Sequence, residues 1–224
     1  MELLQSFFNV DVMLRTLPML GRGLVNTIYL SVTSIVIGVI VGVGLCLVRL
    51  YGPRGIRHLA VFVIDFFRAV PILVVLVVIY YALPGVGILL GSFEAAVTGL
   101  SLVLAAFTAE VFRAGIESLP KGQFEAGDAL GLPFRVTLWK VILPQAVRIA
   151  IPPQTSNCVA IAKDTSLASV VAMPDLLKEA QNAQALTANP SPLIAAAIIY
   201  FIVLWPAVRF VSYLERRTRD GRTQ

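Results

Sequence analysis

At 224 residues the chain could hold one or two soluble domains, but 58% of its residues are hydrophobic and only 14% are charged, against roughly a quarter charged in ordinary soluble proteins. That balance excludes a soluble globular fold and indicates an integral membrane protein. The formal net charge of +5 sits on Lys and Arg scattered in the flanks of apolar stretches, the bias of membrane proteins and not the basic patch of a nucleic-acid binder.

Residues 1–22 lack a basic start and are broken by Asp11 and Arg15. They read as an external amphipathic lead-in, not a cleaved signal. Residues 23–48 carry no charge; as a helix they extend about 39 Å, enough to cross about 30 Å of hydrocarbon with tilt. Gly38 and Gly42 share one face there at GxxxG spacing, where small residues let a neighbouring helix approach. Further spans are expected at 57–83, 93–118, 140–162 and 192–214, five in all. Within 165–188, SLASVVAMP is too short to cross and DLLKEAQNAQALTANP is polar and amphipathic. That segment reads as re-entrant or laterally packed on the far side of the membrane.

Basic residues set the orientation. Arg49, Arg54 and Arg57 follow the first span, Lys121, Arg135 and Lys140 follow the third, and Arg216, Arg217, Arg219 and Arg222 lie in the tail. The loop at 84–92 has none, and only Arg15, Arg22, Lys163 and Lys178 count weakly the other way. The N-terminus is therefore expected outside, with the loop at 119–140 and a basic tail at 215–224 in the cytoplasm and a membrane domain at 23–214 between. Cys46, Cys158 and His58 lie apart in apolar or Arg-rich surroundings, without metal-ligand or disulfide spacing.

The loop sequence QFEAGDALGLPFRVTLWKVILPQA (123–146) is too structured for a mere connection. Lys121 to Leu130 can form a helix, Gly131 can take the left-handed conformation that ends it, and Pro133 suits the first turn of the next. Glu125 and Asp128 put two negative charges on one side, and Leu130, Leu132 and Phe134 offer apolar contact at the bend. Physics alone leaves two readings open: amphipathic helices resting on lipid, or a rigid helix gripped by another protein.

This stretch resembles the signature of ATP-binding-cassette importer permeases: Glu125, Ala126 and Gly127, then Gly131, then Ile142, Leu143 and Pro144. GLVNTIYLSVTSIVIG (23–38), FFRAVPILVVL (66–76), AEVFRAGIESLPKGQ (109–123), PPQTSNCVAIAKDTSLASVV (152–171) and LERR (214–217) are similar to the branch that imports polar amino acids of the histidine, glutamine, arginine and glutamate type. The likeness covers about residues 20–217. Gly127 replaces the family's usual second Ala, which is expected to add flexibility beside Glu125, and FRAVP replaces FRGTP at 67–71.

The resemblance implies an all-α, type I importer permease in the bacterial inner membrane. Glu125, Ala126, Asp128, Ala129 and Gly131 would then dock in a groove of an ATP-binding cassette ATPase subunit. It also implies a second permease subunit, identical or related, an extracytoplasmic solute-binding protein and an amino acid substrate. The chain has no GxxxxGK[ST] loop, so it is expected to be a non-catalytic subunit whose partner uses the ATP and Mg.

Ionisable residues within spans are functional candidates, because each costs about 2.5–3.5 kcal/mol near a helix centre. They are Asp65 and Arg68, then Glu110, Arg113 and Glu117, then Lys163 and Asp164, with Glu110 expected near mid-membrane. Pro152-Pro153 is expected to interrupt the fourth span and free backbone groups. Glu110, Asp164 and Ser166, with Glu117 as a further candidate, are assigned to the substrate path, a carboxylate meeting the solute's amine. The competing reading is internal ion pairing, Asp65 with Arg68 and Glu110 with Arg113. Broken helices with buried carboxylates also suit an ion-coupled secondary transporter, although no internal repeat is visible; a non-transporting scaffold is the other alternative.

Overall fold

The computed structural model describes residues 7–220. The start of the lead-in and, in the basic tail, Arg222 lie outside the described residues. Every regular element among the described residues is helical.

Helix α1 runs Val10–Tyr51 without a break, capped by Asn9, whose side chain accepts from the Val12 amide at 3.2 Å. The expected boundary between lead-in and first span is therefore absent. The cause is packing: Leu20 is fully buried with Leu176, Ala180, Ala195 and Ala196, so the segment is held against its neighbours as part of the bundle.

The second expected span is a broken one. Helix α2 (Arg54–Ala69) stops at Val70, and the chain resumes at a bend of 107° as α3 (Ile72–Val77). Pro71 forces this, since the residue before a proline is steered from helical to extended backbone, and Val70 adopts φ −84° and ψ 130°. After α3 the chain widens into a π-turn at Val78–Ala82 and tightens into a 3-10 turn at Leu83–Val86.

Helix α4 (Ser92–Glu117) is the enclosed element, with Ala96, Leu100, Leu104, Ala105, Ala106 and Ala109 buried on several sides. A loop with α5 (Gly122–Ala129) and α6 (Phe134–Thr137) leads through a π-turn, Leu138–Ile142, into α7 (Leu143–Asp164). Contrary to the expected interruption, α7 stays helical through Pro152 and Pro153. A proline's fixed φ fits a helix; what it removes is the amide that the carbonyl four residues earlier would use.

A 3-10 turn at Thr165–Val171 precedes α8 (Leu176–Thr187) and the final helix α9 (Ser191–Asp220). Of the two readings of 165–188 the lateral one holds. Leu176, Ala180 and Ala183 are buried at helical spacing while much of the opposite face is exposed. The α8 cap, Asp175, is fully buried and accepts from the Lys178 amide at 2.8 Å. Burial pushes its carboxyl up to about 6, although the amides of the first turn pull it down.

Among the described residues three helices, Val10–Tyr51, Ser92–Glu117 and Ser191–Leu214, are long and apolar enough to cross a membrane, or four if the bent pair counts as one span. The expected fourth span coincides with α7, which at 22 residues is long enough but carries Gln145, Arg148, Gln154, Asn157 and Lys163.

In lipid, close packing replaces the hydrophobic effect between helices, and the GxxxG face of α1 provides it. A Cβ on Gly42 would lie 2.5 Å from the Thr108 Cβ and 2.6 Å from the Ala105 carbonyl oxygen, and one on Gly38 2.9 Å from the Leu104 Cβ. Gly44, on another face, meets nothing within 4 Å. We expect Gly42→Ala to lower the thermal unfolding midpoint of the detergent-purified protein by several degrees and Gly44→Ala to leave it unchanged; equal midpoints would disprove the contact.

Candidate functional site

Helix α5 has two faces. Gln123 and Gly127, one helical turn apart, face the bundle. Gln123 Oε1 accepts from Gln145 of α7 at 3.3 Å, and a Cβ on Gly127 would lie 2.6 Å from the Thr137 Cγ2. The residue read as adding flexibility therefore does the opposite: it lets α5 lie directly on the buried Thr137. The other face is exposed and carries Glu125, Ala126, Asp128 and Ala129.

The helix ends as expected. Gly131 takes φ +67° and its amide donates to the Asp128 carbonyl at 2.9 Å, while the Leu132 amide donates to Gly127 at 3.0 Å. A left-handed residue is favourable there only without a Cβ. Of the apolar residues at the bend, Leu130 is 77% exposed. Phe134 instead packs edge-on against Tyr51, ring centroids 5.1 Å apart, at the end of α1. Sequence reasoning missed Tyr51; only its aromatic character beside a basic loop could have marked it.

Glu110 lies at the centre of an ion-pair network. Its Oε2 accepts from Arg49 Nη1 of α1 at 2.7 Å, and its Oε1 from Arg113 Nε at 2.7 Å. Arg68 Nη1 of α2 lies 3.8 Å away, with its guanidinium over the Phe107 ring. Arg113 also pairs with Glu117. The pairing of Glu110 with Arg113 is thus present, whereas Arg68 turns to Glu110 and, among the described residues, forms no ion pair with Asp65. Contact with Arg49, two positions before the end of α1, also places Glu110 near that end of the bundle and not at mid-membrane. Arg49 had been read only as a loop charge; its arginine stem is long enough to reach back along the bundle.

The four path candidates are not brought together. Gln154 of α7 donates to Thr108 Oγ1 of α4 at 3.0 Å, which fixes the register of these antiparallel helices. Asp164 lies ten residues beyond Gln154 in the direction away from Glu110, about 18 Å from it along the axis. Ser166 spends its hydroxyl on the Lys163 carbonyl at 2.8 Å. It lines a separate apolar cleft of ≈ 590 Å³ with Tyr200 and Trp205 of α9. Beside Glu110 lies a more polar cleft of ≈ 460 Å³, bordered by Arg68, Phe107, Ser118, Ile149 and Asn157.

With this geometry in view, likeness to known proteins is decisive. Residues 16–220 match the binding-protein-dependent transport system inner membrane component family. The chain belongs to that family. It is 36% identical over 202 residues to the L-cystine transport system permease protein TcyB of Bacillus subtilis (strain 168), covering 89% of this chain and 86% of that one. It is 34% identical over 207 residues to the arginine transport system permease protein ArtQ of the same organism, covering 92% and 94%.

Among solved structures, an amino acid ABC transporter crystallised with histidines superposes with a TM-score of 0.84 at 31% identity, covering 92% of this chain and 96% of that one. An inward-facing MetNI methionine ABC transporter superposes with a TM-score of 0.71 at 19% identity, covering 88% and 96%; it shows the fold alone. The fold is that of a type I ABC importer permease, and the chain is a multi-pass inner-membrane protein.

Gly127→Ala should force α5 off Thr137 and speed proteolysis of the α5 segment, and Gly127→Ala/Thr137→Ala should restore protection; failure of the double variant to do so rejects the contact. Glu110→Gln should leave Arg49, Arg68 and Arg113 with less compensation and lower the thermal midpoint, and adding Arg113→Gln should recover part of the loss. A Glu110→Gln protein as stable as wild type would show the network to be dispensable.

Proposed function

We propose that this chain is the permease subunit of an ATP-driven amino acid importer, contributing the translocation path and receiving mechanical work from a separate ATP-binding cassette subunit. In this reading the partner binds ATP and Mg and performs all the hydrolysis. A second permease subunit completes the path, and a solute-binding protein delivers the amino acid on the outer face. The family assignment and the amino acid permeases among its relatives support this.

One observation carries the coupling assignment: α5 is pinned to the bundle by Gln123 and Gly127 and exposes Glu125, Ala126, Asp128 and Ala129 on its other side. A helix gripped on that face transmits a displacement to α7, whereas a loop free on both sides would dissipate it. Gly131, at the exposed elbow, limits the length of the docking helix. Glu117, which shares Arg113 with Glu110, belongs to the same section of the path as Glu110, and Asp164 and Ser166 are assigned to an outer section, apart from it.

A single cysteine at Ala129 should crosslink to the ATPase subunit in native vesicles. Glu125→Lys should cut ATP-driven uptake by about tenfold or more, the size expected from losing one charge-assisted contact, with normal membrane levels. Absence of any crosslink, or undiminished uptake in Glu125→Lys, would remove α5 from the coupling role.

A further inference from the structure

Helix α8 is seated by its first turn. The Leu176 amide donates to Thr27 Oγ1 of α1 at 2.9 Å, and Asn26 Nδ2 of α1 donates to the Pro174 carbonyl at 2.8 Å. Gly23 lets α1 come close: a Cβ there would lie 2.8 Å from the Asp175 carbonyl oxygen and from the Leu176 Cα. Just before this turn the chain bends at Ala172, whose φ of +57° is a left-handed conformation unfavourable for a residue with a Cβ. A hinge at Ala172 thus leads directly into the contact that holds α8 down.

A carboxyl group lies at the centre of that contact. Asp175 is fully buried; its Oδ1 accepts from the Lys178 amide at 2.8 Å and its Oδ2 from the Tyr200 hydroxyl of α9 at 3.4 Å. The Thr27 and Thr165 hydroxyls are bonded to the same Tyr200 hydroxyl. Charged groups on the surrounding elements are Arg22 of α1, Lys163 and Asp164 at the end of α7, and Lys178 and Glu179 of α8. Among the described residues none of them forms an ion pair with Asp175, and the 3-10 turn at Thr165–Val171 carries no charge. Amides and a phenol compensate it, whereas Glu110 is held by arginines. An ionised carboxyl buried without a counter-ion is costly, and taking up a proton removes that cost.

We propose that Asp175 is a proton-operated latch on α8: with its carboxyl protonated the helix stays seated on α1 and α9, and with it ionised the first turn lifts more readily about Ala172. A protonated carboxyl still offers an oxygen to the Lys178 amide, so the cap survives. Burial pushes the group up to about 6 in the seated state, against 3.8 ordinarily, so the seated state binds the proton more tightly. Its advantage is complete below the lower value, declines as pH rises between the two, and is gone above the higher. Across that window the ratio of lifted to seated helix rises on the order of a hundredfold. Leu177 and Tyr200 both line the ≈ 590 Å³ apolar cleft, so lifting α8 also opens one wall of that cleft.

Hydrogen–deuterium exchange of the full-length protein in lipid nanodiscs reads the latch directly. After correction for intrinsic exchange, amides of Leu176–Thr187 should lose about tenfold or more protection between about pH 4.5 and about pH 7.5, most of it below about pH 6. Amides of the buried stretch Leu100–Ala106 in α4 should keep theirs. Asp175→Asn cannot ionise but still caps a helix. At about pH 7.5 its α8 should be about tenfold better protected than in wild type, with little pH dependence; a merely structural role would lower protection instead. Tyr200→Phe removes a donor to the carboxylate, so its α8 should lose more protection at the higher pH than at the lower.

Wild-type α8 protection that stays constant across this pH range, or a folded Asp175→Asn protein less protected than wild type at the higher pH, would overturn the latch. A parallel loss in α4 would assign the pH effect to the whole bundle and overturn it equally. The wild-type profile does not depend on a variant that folds. None of these readouts involves ATP, a binding protein or uptake, so the outcome is separate from that of the importer reading.

Discussion

Glu110 ties three helices through one carboxylate. Arg49 comes from α1, Arg68 from α2 and Arg113 from α4 itself. A lone carboxylate lodged between packed helices is costly; one held by arginines is compensated and fixes what surrounds it. Removing one partner of such a cluster costs more than the cluster adds, because the remaining charges are left without compensation. Helix α2 ends at the 107° bend before α3 and buries only Ala60 and Ile64 fully, so Arg68, 3.8 Å from Glu110, adds a polar contact near its end to these apolar ones.

Prolines shape the rest of the membrane domain. Each π-turn, Val78–Ala82 and Leu138–Ile142, ends two residues before a proline, Pro84 and Pro144. The ring cannot sit against the carbonyl four residues back, and a wider turn makes room for it. At Pro71 the chain turns away altogether, while at Pro152-Pro153 it stays helical and leaves carbonyls without helical donors. The same residue type thus gives a wide turn, a corner and a polar seam, and what surrounds it decides which.

Patterns confined to one helix were legible in the sequence: the apolar runs of α1, α4 and α9, the GxxxG face, the amphipathic α8, and the Gly131 stop of α5. Features set by contacts distant in the chain were not. Nothing local shows that Leu20 packs on Leu176, that Phe134 meets Tyr51, or that Arg49 reaches Glu110 across 61 positions. Gly127 was misread for the same reason. Its meaning depends on Thr137, ten residues away and invisible to any periodicity. The path candidates were chosen as polar residues in apolar sequence, a criterion that finds Glu110 and Asp164 but cannot tell that the antiparallel register of α4 and α7 sets them far apart.

Helix α5 and the polar cleft share α7. Gln145 of α7 holds Gln123 of α5, and one to three turns further along the same helix Ile149, Pro153 and Asn157 border the cleft. Gln154, on the next position, bonds Thr108, whose side chain also meets the close approach of Gly42. A displacement of α5 would therefore reach the cleft through a single packed helix. Because Arg68 of α2 lines the cleft opposite Ile149 and Asn157 of α7, movement of α7 relative to α2 would change its width. Pro152 and Pro153 remove the α-helical donors to the Arg148 and Ile149 carbonyls, yet α7 stays helical through both, so its two ends remain joined by one continuous element.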